Sequence, residues 1–247
     1  MNLAGNTILI TGGGSVIGQA LAHEFHQRGN TVIIAGRRQS ALDATVAAHP
    51  GMKSIVMDTG DEASITASVV KLTADFPALN AVINNAGIMQ PEGVKSGGTA
   101  TAEATIATNL LGPIRLTAAL LPHFLKQPRA TVLTLSSGLA FVPMASNPTY
   151  CATKAAIHSY SQSLRYQLKD TNVRVVEIIP PWVATELQGA KPTDPRAMPL
   201  DAYIAETMEL LASDADEILV KNVLPLRNAA KGDETTFFKR FNDSLPH

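Results

Sequence analysis

The stretch Thr7-Ile8-Leu9-Ile10-Thr11, followed by Gly12-Gly13-Gly14-Ser15-Val16-Ile17-Gly18, decides the fold. Its first five residues form a short apolar run rich in β-branched side chains, which predicts a buried strand. The three glycines that follow predict a tight turn. From Ile17 to Gly29 apolar residues recur at helical spacing, and Gly29-Asn30 predicts the end of that helix. The stretch therefore predicts a strand, a glycine-rich turn and a helix in succession.

The same alternation continues along most of the chain. Further strands are predicted at residues 31–35, 53–57, 81–84, 131–135 and 173–179, and further helices at about 40–48, 62–76, 100–125 and 149–168. Strands that read as continuous apolar runs are covered on both faces, and strand-helix-strand units with right-handed crossovers give parallel sheets. The sequence predicts a single α/β domain over residues 1–247, with a Rossmann-type, doubly wound parallel sheet of six strands.

Two later regions break this rhythm. Residues 182–212 are rich in Pro, Thr and Gly up to Pro199 and end in a short predicted helix, which suggests a mobile flap over a substrate site. The tail, residues 222–247, carries Phe237, Phe238 and Phe241 on a possible short helix at about 234–242. That helix either packs on the body of the protein or offers a docking face to a partner.

Composition excludes several classes of protein. The 247 residues are 45% hydrophobic and 17% charged, which is typical of a soluble globular chain. With 20 Lys and Arg against 21 Asp and Glu, the net charge of -1 argues against nucleic-acid and membrane partners. The single cysteine, Cys151, has no internal disulfide partner, and no metal-ligand spacing is present. We therefore expect no metal site. We also expect a cytoplasmic protein, since the N-terminus shows no leader pattern.

The glycine-rich turn indicates a dinucleotide site. Gly12, Gly14 and Gly18 let the backbone approach a pyrophosphate, which the following helix N-terminus attracts. The second strand ends at Gly36 and is followed by Arg37 and Arg38 rather than by a carboxylate. Guanidinium groups pair with a 2′-phosphate, so NADPH is favoured over NADH. Two solvated arginines at the start of the next helix remain the alternative.

Tyr150 and Lys154 are the candidate reacting pair. They lie four residues apart on a predicted helix and therefore share one face. Ser137 follows the fifth strand, and Asn109 lies within the long predicted helix at 100–125. A lysine ammonium stabilises tyrosinate, which fits a tyrosine for proton transfer to or from a substrate oxygen.

Taken together, these residues resemble the short-chain dehydrogenase/reductase family, with its TGxxxGxG turn and Asn-Ser-Tyr-Lys tetrad, over residues 7 to about 187. Within it, Tyr150-Cys151-Ala152-Thr153-Lys154 and Pro180-Pro181 look most like the oxidoreductases associated with D-alanine esterification of teichoic acids. Two residues depart from the family pattern, since Val16 and Pro181 replace glycines. A positive φ at Val16 would strain a β-branched residue and weaken cofactor binding.

The resemblance implies a role for each tetrad residue. Tyr150 is the general acid or base, Ser137 binds the substrate oxygen, Lys154 lowers the tyrosine pKa and holds the nicotinamide ribose, and Asn109 holds a water in a proton relay. The resemblance also implies cofactor contacts, besides those of Arg37, Arg38, Tyr150 and Lys154, from Gly12, Gly14, Ser15, Ile17, Gly18, Asp58, Thr59, Asn85, Ala86, Gly87, Pro180, Val183 and Thr185.

The candidate substrate pocket is mostly apolar and fits a small or medium ketone or secondary alcohol. Its candidate residues are Met89, Gln90, Pro143, Met144, Asn147, Trp182 and Leu187. The resemblance implies a homodimer through the two long helices, because Pro225 leaves no convincing last strand after Val220. A second hypothesis stays open: a dinucleotide-binding sensor or scaffold with little turnover, suggested by Val16 and the Phe-rich tail.

Overall fold

One parallel sheet organises the molecule. The computed structural model describes residues 2–185 and 194–229, together with Arg240, Asp243 and Ser244. The strands are β1 Thr7–Thr11, β2 Thr31–Gly36, β3 Lys53–Val56, β4 Leu79–Asn84, β5 Ala130–Leu135, β6 Val173–Ile179 and β7 Glu217–Leu219. They lie in the order β3-β2-β1-β4-β5-β6-β7, and every neighbouring pair is parallel. This is the doubly wound, Rossmann-type sheet predicted from the sequence.

Helices cover both faces of the sheet. They are α1 Val16–Gln27, α2 Gln39–Ala48, α3 Glu62–Asp75, α4 Ala100–Ile106, α5 Gly112–Phe124, α6 Pro148–Gln167, α7 Leu200–Leu211 and α8 Leu224–Ala229. The sequence-predicted boundaries agree with those of α1 to α7 to within about two residues, whereas α8 was not predicted. The one long helix predicted at 100–125 is interrupted, because a π-helical turn at Ala107–Leu111 separates α4 from α5.

Alternating side chains along the strands divide the core into two halves. In β1, Ile8 and Ile10 face one side and pack with Leu21 of α1 and Tyr203 of α7. Leu9 faces the other side, in a cluster with residues of α3 and α5. Because both faces are buried, the strands carry few polar residues, as the continuous apolar runs predicted.

A seventh strand corrects the predicted count of six. Strand β7, Glu217–Leu219, pairs with β6 in parallel and forms an edge of the sheet. Its three residues are too few for a periodic pattern to be recognised in the sequence. After it the chain turns through a 3-10 helix at Lys221–Val223 into α8, so no strand follows Val220 before the described segment ends at 229.

The second half of the predicted flap is a core helix. In α7, Tyr203 is fully buried and Met208 is 2% exposed, and both belong to the core beside β1 and α1. The amphipathic pattern of this helix is therefore explained by packing on the sheet. The predicted tail helix at 234–242, with Phe237, Phe238 and Phe241, lies outside the described residues.

The segment Ala100–Phe124 is long and apolar enough, by length and composition alone, to cross a membrane. In the fold its last part packs against the sheet instead. Leu116, Leu120 and Phe124 are fully buried in the core beside β4 and β5. Core packing therefore accounts for the apolar character of this part of the segment.

The buried end of α5 provides a test of the core. Replacing Phe124 with Ala removes a fully buried ring, and we expect the free energy of unfolding to fall by about 3–5 kcal/mol. The matched control is Leu125→Ala, at a neighbouring side chain that is 45% exposed, with an expected change below about 1 kcal/mol. Urea unfolding followed by circular dichroism measures both. Equal losses in the two variants would contradict this packing.

Candidate active site

The glycine-rich turn between β1 and α1 is sterically tight. Gly12 adopts a φ of +67°. A Cβ at Gly18 would lie 2.3 Å from the carbonyl oxygen of Gly12 and 2.4 Å from the side chain of Asn85. No residue with a side chain fits at Gly18 without moving the backbone. The backbone of the turn and the first turn of α1 are therefore in direct contact, with no side chain separating them.

Val16 is strained within this turn. It begins α1 with a φ of +43°, and among the described residues it is the only non-glycine with a positive φ. A β-branched side chain is disfavoured in this region, at a cost of about 1–3 kcal/mol. The sequence predicted strain at Val16 if its φ were positive, and the structure meets that condition.

The loop after β4 is tied to the end of β1 by Thr11. The Thr11 hydroxyl accepts the backbone N–H groups of Asn85 and Ala86, each at 3.0 Å. The Asn85 side chain donates to the Thr11 carbonyl oxygen at 2.8 Å. Asn85, predicted as a cofactor residue, thus holds the turn in place with its side chain. The sequence analysis placed Thr11 at the start of the TGxxxGxG turn but assigned it no contact, and the structure shows that its side chain ties the two loops together.

A cleft of about 220 Å³ opens at the carboxyl ends of β1 to β4. Among its lining residues, eight were predicted as cofactor contacts: Gly12, Gly14, Ser15, Arg37, Arg38, Thr59, Ala86 and Gly87. Five further lining residues that no motif singled out are Ala41, Leu42, Met57, Ile88 and Thr108. The cleft lies between β1 and β4, where the strand order reverses, which is the usual ligand site of open α/β sheets.

Two predicted contacts have other duties. The Asp58 carboxylate accepts the N–H of Gly60 at 2.8 Å and so shapes the turn after β3. The side chain of Ile17 packs against the core.

Arg37 and Arg38 are exposed beside the cleft, and neither forms an ion pair with a described carboxylate. The positive charge at this end of the cleft is therefore not neutralised within the described chain.

Ser137, Tyr150 and Lys154 come together at the end of β5. The Ser137 hydroxyl lies close enough to the Tyr150 phenol to act on its pKa. Lys154 Nζ donates to the carbonyl oxygen of Leu135, the last residue of β5, at 2.8 Å and lies 5.6 Å from the Tyr150 ring centroid. The backbone that lines the cleft at Gly87 and Ile88 continues to Met89, which packs against Tyr150. The three predicted residues thus adjoin the cleft.

Burial shifts the acidity of both reacting groups. Burial raises the pKa of Tyr150 well above its usual value, although the nearby Ser137 hydroxyl acts in the opposite direction. Burial also lowers the pKa of Lys154 to about 8, against the opposing effect of the Glu177 carboxylate. Without a ligand, Tyr150 is therefore a neutral phenol at pH 7, and Lys154 is mostly an ammonium.

Asn109 lies in the π-helical turn between α4 and α5 and is 1% exposed. Its side-chain oxygen accepts the N–H of Ile88 at 2.9 Å, and its side-chain nitrogen donates to the Ile88 carbonyl at 2.8 Å. π-Helical turns occur frequently at functional sites. The turn lets Asn109 fix the loop that lines the cleft, while its role in a proton relay stays a prediction.

The substrate side is lined by apolar groups. Met89 and Met144 pack with Tyr150, Cys151 and the partly buried Leu139. Asn147 is 5% exposed directly before α6, and its oxygen accepts the Ser146 hydroxyl at 2.7 Å. Leu187, the last predicted substrate residue, lies outside the described residues.

The segment after β6 closes the site from another side. The Pro180 carbonyl accepts the N–H of Gly138 at 2.8 Å, which ties this loop to the one that carries Ser137. Val183 is 5% exposed and forms a bridge to Met198. The guanidinium of Arg196 lies 5.0 Å from the Trp182 ring centre.

A model of the short chain dehydrogenase family matches residues 6–196. The chain belongs to this family. It is 37% identical to the uncharacterized oxidoreductase DltE of Bacillus subtilis over 98% of both chains. A short chain dehydrogenase from Burkholderia cenocepacia in complex with NADP is similar over 100% of both chains, with a TM-score of 0.85 and 20% identity. One from Burkholderia phymatum in complex with NAD has a TM-score of 0.84 and 18% identity, over 100% of this chain and 99% of that one.

These findings confirm the family expected from the motifs, and the protein is an oxidoreductase of the short-chain dehydrogenase type. The solved structures are similar to it in fold. Since one of them holds NADP and the other NAD, the likeness itself favours neither dinucleotide.

Glu92 is a residue of this dehydrogenase that the sequence analysis missed. Its carboxylate accepts the N–H of Thr149 at 3.0 Å and the Thr149 hydroxyl at 2.7 Å. Its own N–H donates to the carbonyl of Ser146 at 2.9 Å. A carboxylate at this place satisfies free N–H groups of the first turn of α6 and complements the helix dipole. Glu92 therefore fixes the helix that carries Tyr150 and Lys154.

Relief of the strain at Val16 is measurable. We expect Val16→Gly to raise the free energy of unfolding of this dehydrogenase by about 1 kcal/mol, because glycine adopts a positive φ without steric cost. The control is Val70→Gly, at an exposed position inside α3, which we expect to lower it by about 0.5 kcal/mol. Urea unfolding of both variants decides, and a loss of stability in Val16→Gly would contradict the strain.

Proposed function

We propose that this short-chain dehydrogenase is an NADPH-dependent carbonyl reductase/alcohol dehydrogenase for small or medium apolar ketones and secondary alcohols. The observation that carries the proposal is the grouping of Ser137, Tyr150 and Lys154 at the end of β5, with Lys154 one turn further along α6 than Tyr150. A phenol donor, a hydroxyl and a buried cation beside a dinucleotide-type cleft are the groups that proton transfer to a carbonyl oxygen requires.

The cleft residues fit a nicotinamide dinucleotide. Gly12 and Gly18 leave no room for a Cβ, and α1 begins beside them with Ser15 as its N-cap and no side-chain cap bond. Free N–H groups at a helix N-terminus bind a pyrophosphate. When bound, the dinucleotide supplies or takes up the hydride. Carbonyl reduction then needs only a proton donor and an oxygen-binding site from the protein.

Tyr150 supplies the proton to the substrate oxygen during reduction and takes it back during oxidation. Because the Ser137 hydroxyl is close enough to act on the phenol, both hydroxyl groups can reach the same substrate oxygen. The Ser137 hydroxyl then holds that oxygen and stabilises negative charge on it as it develops. Because burial keeps Tyr150 protonated at neutral pH, it is ready to act as the acid.

Lys154 stabilises the tyrosinate that proton donation leaves behind, and by family resemblance it also binds the nicotinamide ribose. It does both only as an ammonium. Its pKa of about 8 therefore sets an upper limit, and reduction falls as pH rises through about 8. Below that pH the ammonium and the neutral phenol coexist, so the titration of these two groups no longer changes the rate of reduction.

Replacing the phenol tests the proposal. We expect Tyr150→Phe to lower kcat/KM for a ketone by about 10³-fold or more, because it removes the proton donor, while the dissociation constant of NADPH changes little. The control is Tyr166→Phe, at a side chain that is 70% exposed on the same helix, with unchanged kinetics. Stopped assays of NADPH oxidation with a panel of apolar ketones measure both.

Strain at Val16 favours one other function, a dinucleotide-binding sensor or scaffold that turns over little. Wild-type protein that binds NADPH but reduces no carbonyl compound, with Tyr150→Phe indistinguishable from it, would support that function and contradict the reductase.

Arg37 and Arg38 support the choice of NADPH. Both line the cleft just after β2, where a carboxylate would instead favour the ribose 2′-hydroxyl of NADH. Their guanidinium groups match a 2′-phosphate in charge and in hydrogen-bonding geometry.

We expect Arg37→Ala/Arg38→Ala to raise the dissociation constant of NADPH by about 10- to 100-fold, since charge-assisted hydrogen bonds to the phosphate are lost. That of NADH should stay within about twofold. The single tryptophan, Trp182, reports binding by quenching, with calorimetry as a check. Arg129→Ala, exposed at the opposite edge of the sheet directly before β5, serves as control. Equal losses for both dinucleotides would contradict the assignment.

The surroundings of Tyr150 support a neutral, apolar substrate. Met89 and Met144 supply apolar surface beside the phenol. Arg196, the cation stacked on Trp182, is engaged by the Asp194 carboxylate through two hydrogen bonds of 3.1 and 2.9 Å. It therefore offers no uncompensated charge for a phosphate or carboxylate on the substrate.

The proposal includes a cytoplasmic homodimer formed through α4, α5 and α6. Ile106 and Leu111, on and beside these helices, are 39% and 36% exposed. Apolar side chains of this size on an outer helix are the kind that a second copy covers.

A further inference from the structure

Helix α6 carries a column of polar side chains that continues beyond the reacting pair. Tyr150, Lys154, His158 and Gln162 follow one another at every fourth residue and so share one helix face. A face turned to a sheet is ordinarily apolar. The proposed reaction uses the first two residues of this column and leaves His158 and Gln162 without a role.

Glu177 explains where His158 is directed. It lies on β6, inside the sheet, and is fully buried. His158 Nδ1 lies 3.0 Å from one of its carboxylate oxygens and 2.8 Å from the other. A carboxylate removed from water in this way is costly unless it is hydrogen-bonded and paired with positive charge. His158 supplies the hydrogen bond, so the positive charge comes from elsewhere.

One positive charge on which Glu177 acts is that of Lys154. Lys154 is bound to the carbonyl of Leu135, and in the sheet Leu135 pairs with Ile178, the residue after Glu177. Glu177 is the charged group that acts on the lysine, and it favours the ammonium against the effect of burial. The carboxylate and the ammonium are thus held by adjacent strands beneath the same helix.

Further charges around Glu177 come from the strand and helix on its other side. Glu217 of β7 pairs with Glu177 in the sheet register and forms an ion pair with Arg227 of α8 at 3.3 Å. Arg227 also lies over the Phe141 ring, whose edge packs on His158. Two carboxylates are therefore matched by two cations, Lys154 and Arg227.

This balance also decides against a metal ion. The ligand atoms of His158, Glu177 and Glu217 lie within 4.8 Å of one another, as in a cation site. A divalent ion there would add positive charge to a group that is already neutral in total, and it would displace the hydrogen bond between His158 and Glu177.

We propose that Glu177 and His158 are positioning residues for Lys154. The Leu135 carbonyl holds the lysine side chain in place, and Glu177 keeps its positive charge beside Tyr150. The hydrogen bond from His158 keeps Glu177 ionised and oriented. Gln162, whose side chain lies 3.2 Å from His158 Nε2, orients the outer side of the imidazole ring. The inference rests on the proposed function for its catalytic consequence, although the state of Lys154 can be measured without turnover.

The test is a titration of Lys154 itself. The full chain is labelled with 13C at the Cε of lysine, the Lys154 signal is assigned from its absence in Lys154→Arg, and its chemical shift is followed from about pH 6 to pH 11. We expect the pKa of Lys154 to fall by about one unit in Glu177→Gln, which keeps the shape of the side chain and removes its charge. Glu217→Gln, the neighbouring carboxylate, is the matched control and should move it by less than about 0.3 units.

Kinetics give a second readout. In Glu177→Gln the fall in ketone reduction at high pH should begin about one unit lower than in the wild type, and Glu177→Asp should restore part of the difference. An unchanged Lys154 titration in folded Glu177→Gln overturns the inference. If Glu177→Gln does not fold, His158→Leu, at a partly exposed position, carries the same test: loss of the hydrogen bond should protonate Glu177 and lower the pKa of Lys154.

The two proposals fail differently. A lysine shift in protein that reduces no ketone would leave the positioning role standing and remove the reductase. Reduction by the wild type, with neither the Lys154 titration nor the pH profile moved by Glu177→Gln, would leave the reductase and remove the positioning role.

Discussion

The hydroxyl of Thr11 joins the two halves of the sheet at the point where the ligand cleft opens. It accepts hydrogen bonds from two backbone N–H groups of the loop after β4, and it donates one to the Ile83 carbonyl oxygen at 3.3 Å. The Asn85 side chain adds a hydrogen bond in the other direction, to the Thr11 carbonyl oxygen. Because the strand order reverses between β1 and β4, the loops there diverge and leave a crevice. These hydrogen bonds fix the glycine-rich turn and the loop after β4, and the positions of the cleft residues on both segments are set by them.

Two polar side chains buried near the candidate reacting residues are fixed by backbone groups of other elements. Asn109 is occupied by the backbone of Ile88, and Lys154 by that of Leu135. The loop and helix that carry the chemistry are therefore held by hydrogen bonds between elements distant in sequence. In an apolar interior such bonds are strong, because any alternative leaves a polar group unpaired. This rigidity lets small hydroxyl and ammonium groups be placed accurately against a substrate.

The glycine-rich turn between β1 and α1 is both strained and rigid. Val16 occupies a backbone conformation that suits glycine, within a turn where Gly18 admits no other residue. The surrounding packing imposes this conformation, since the Asn85 side chain and the start of α1 leave the turn little freedom. Strained backbone of this kind persists only where neighbouring structure determines it, and it concentrates at ligand sites. The turn thus retains the geometry of a phosphate loop despite the side chain at Val16.

The sequence by itself determined the alternation of strands and helices and the family, and it singled out the candidate reacting residues. Apolar periodicity, the glycine turn and the Tyr150–Lys154 spacing are local signals, each written within a few residues. Strand β7 escaped because three residues carry no period, and the π-helical turn at Asn109 because no local pattern marks it. The bonds from Glu92 to Thr149 and from His158 to Glu177 join positions 57 and 19 residues apart. Only the tertiary structure decided those contacts, because a buried charge finds its partner through the packing of whole elements and not through its neighbours in the chain.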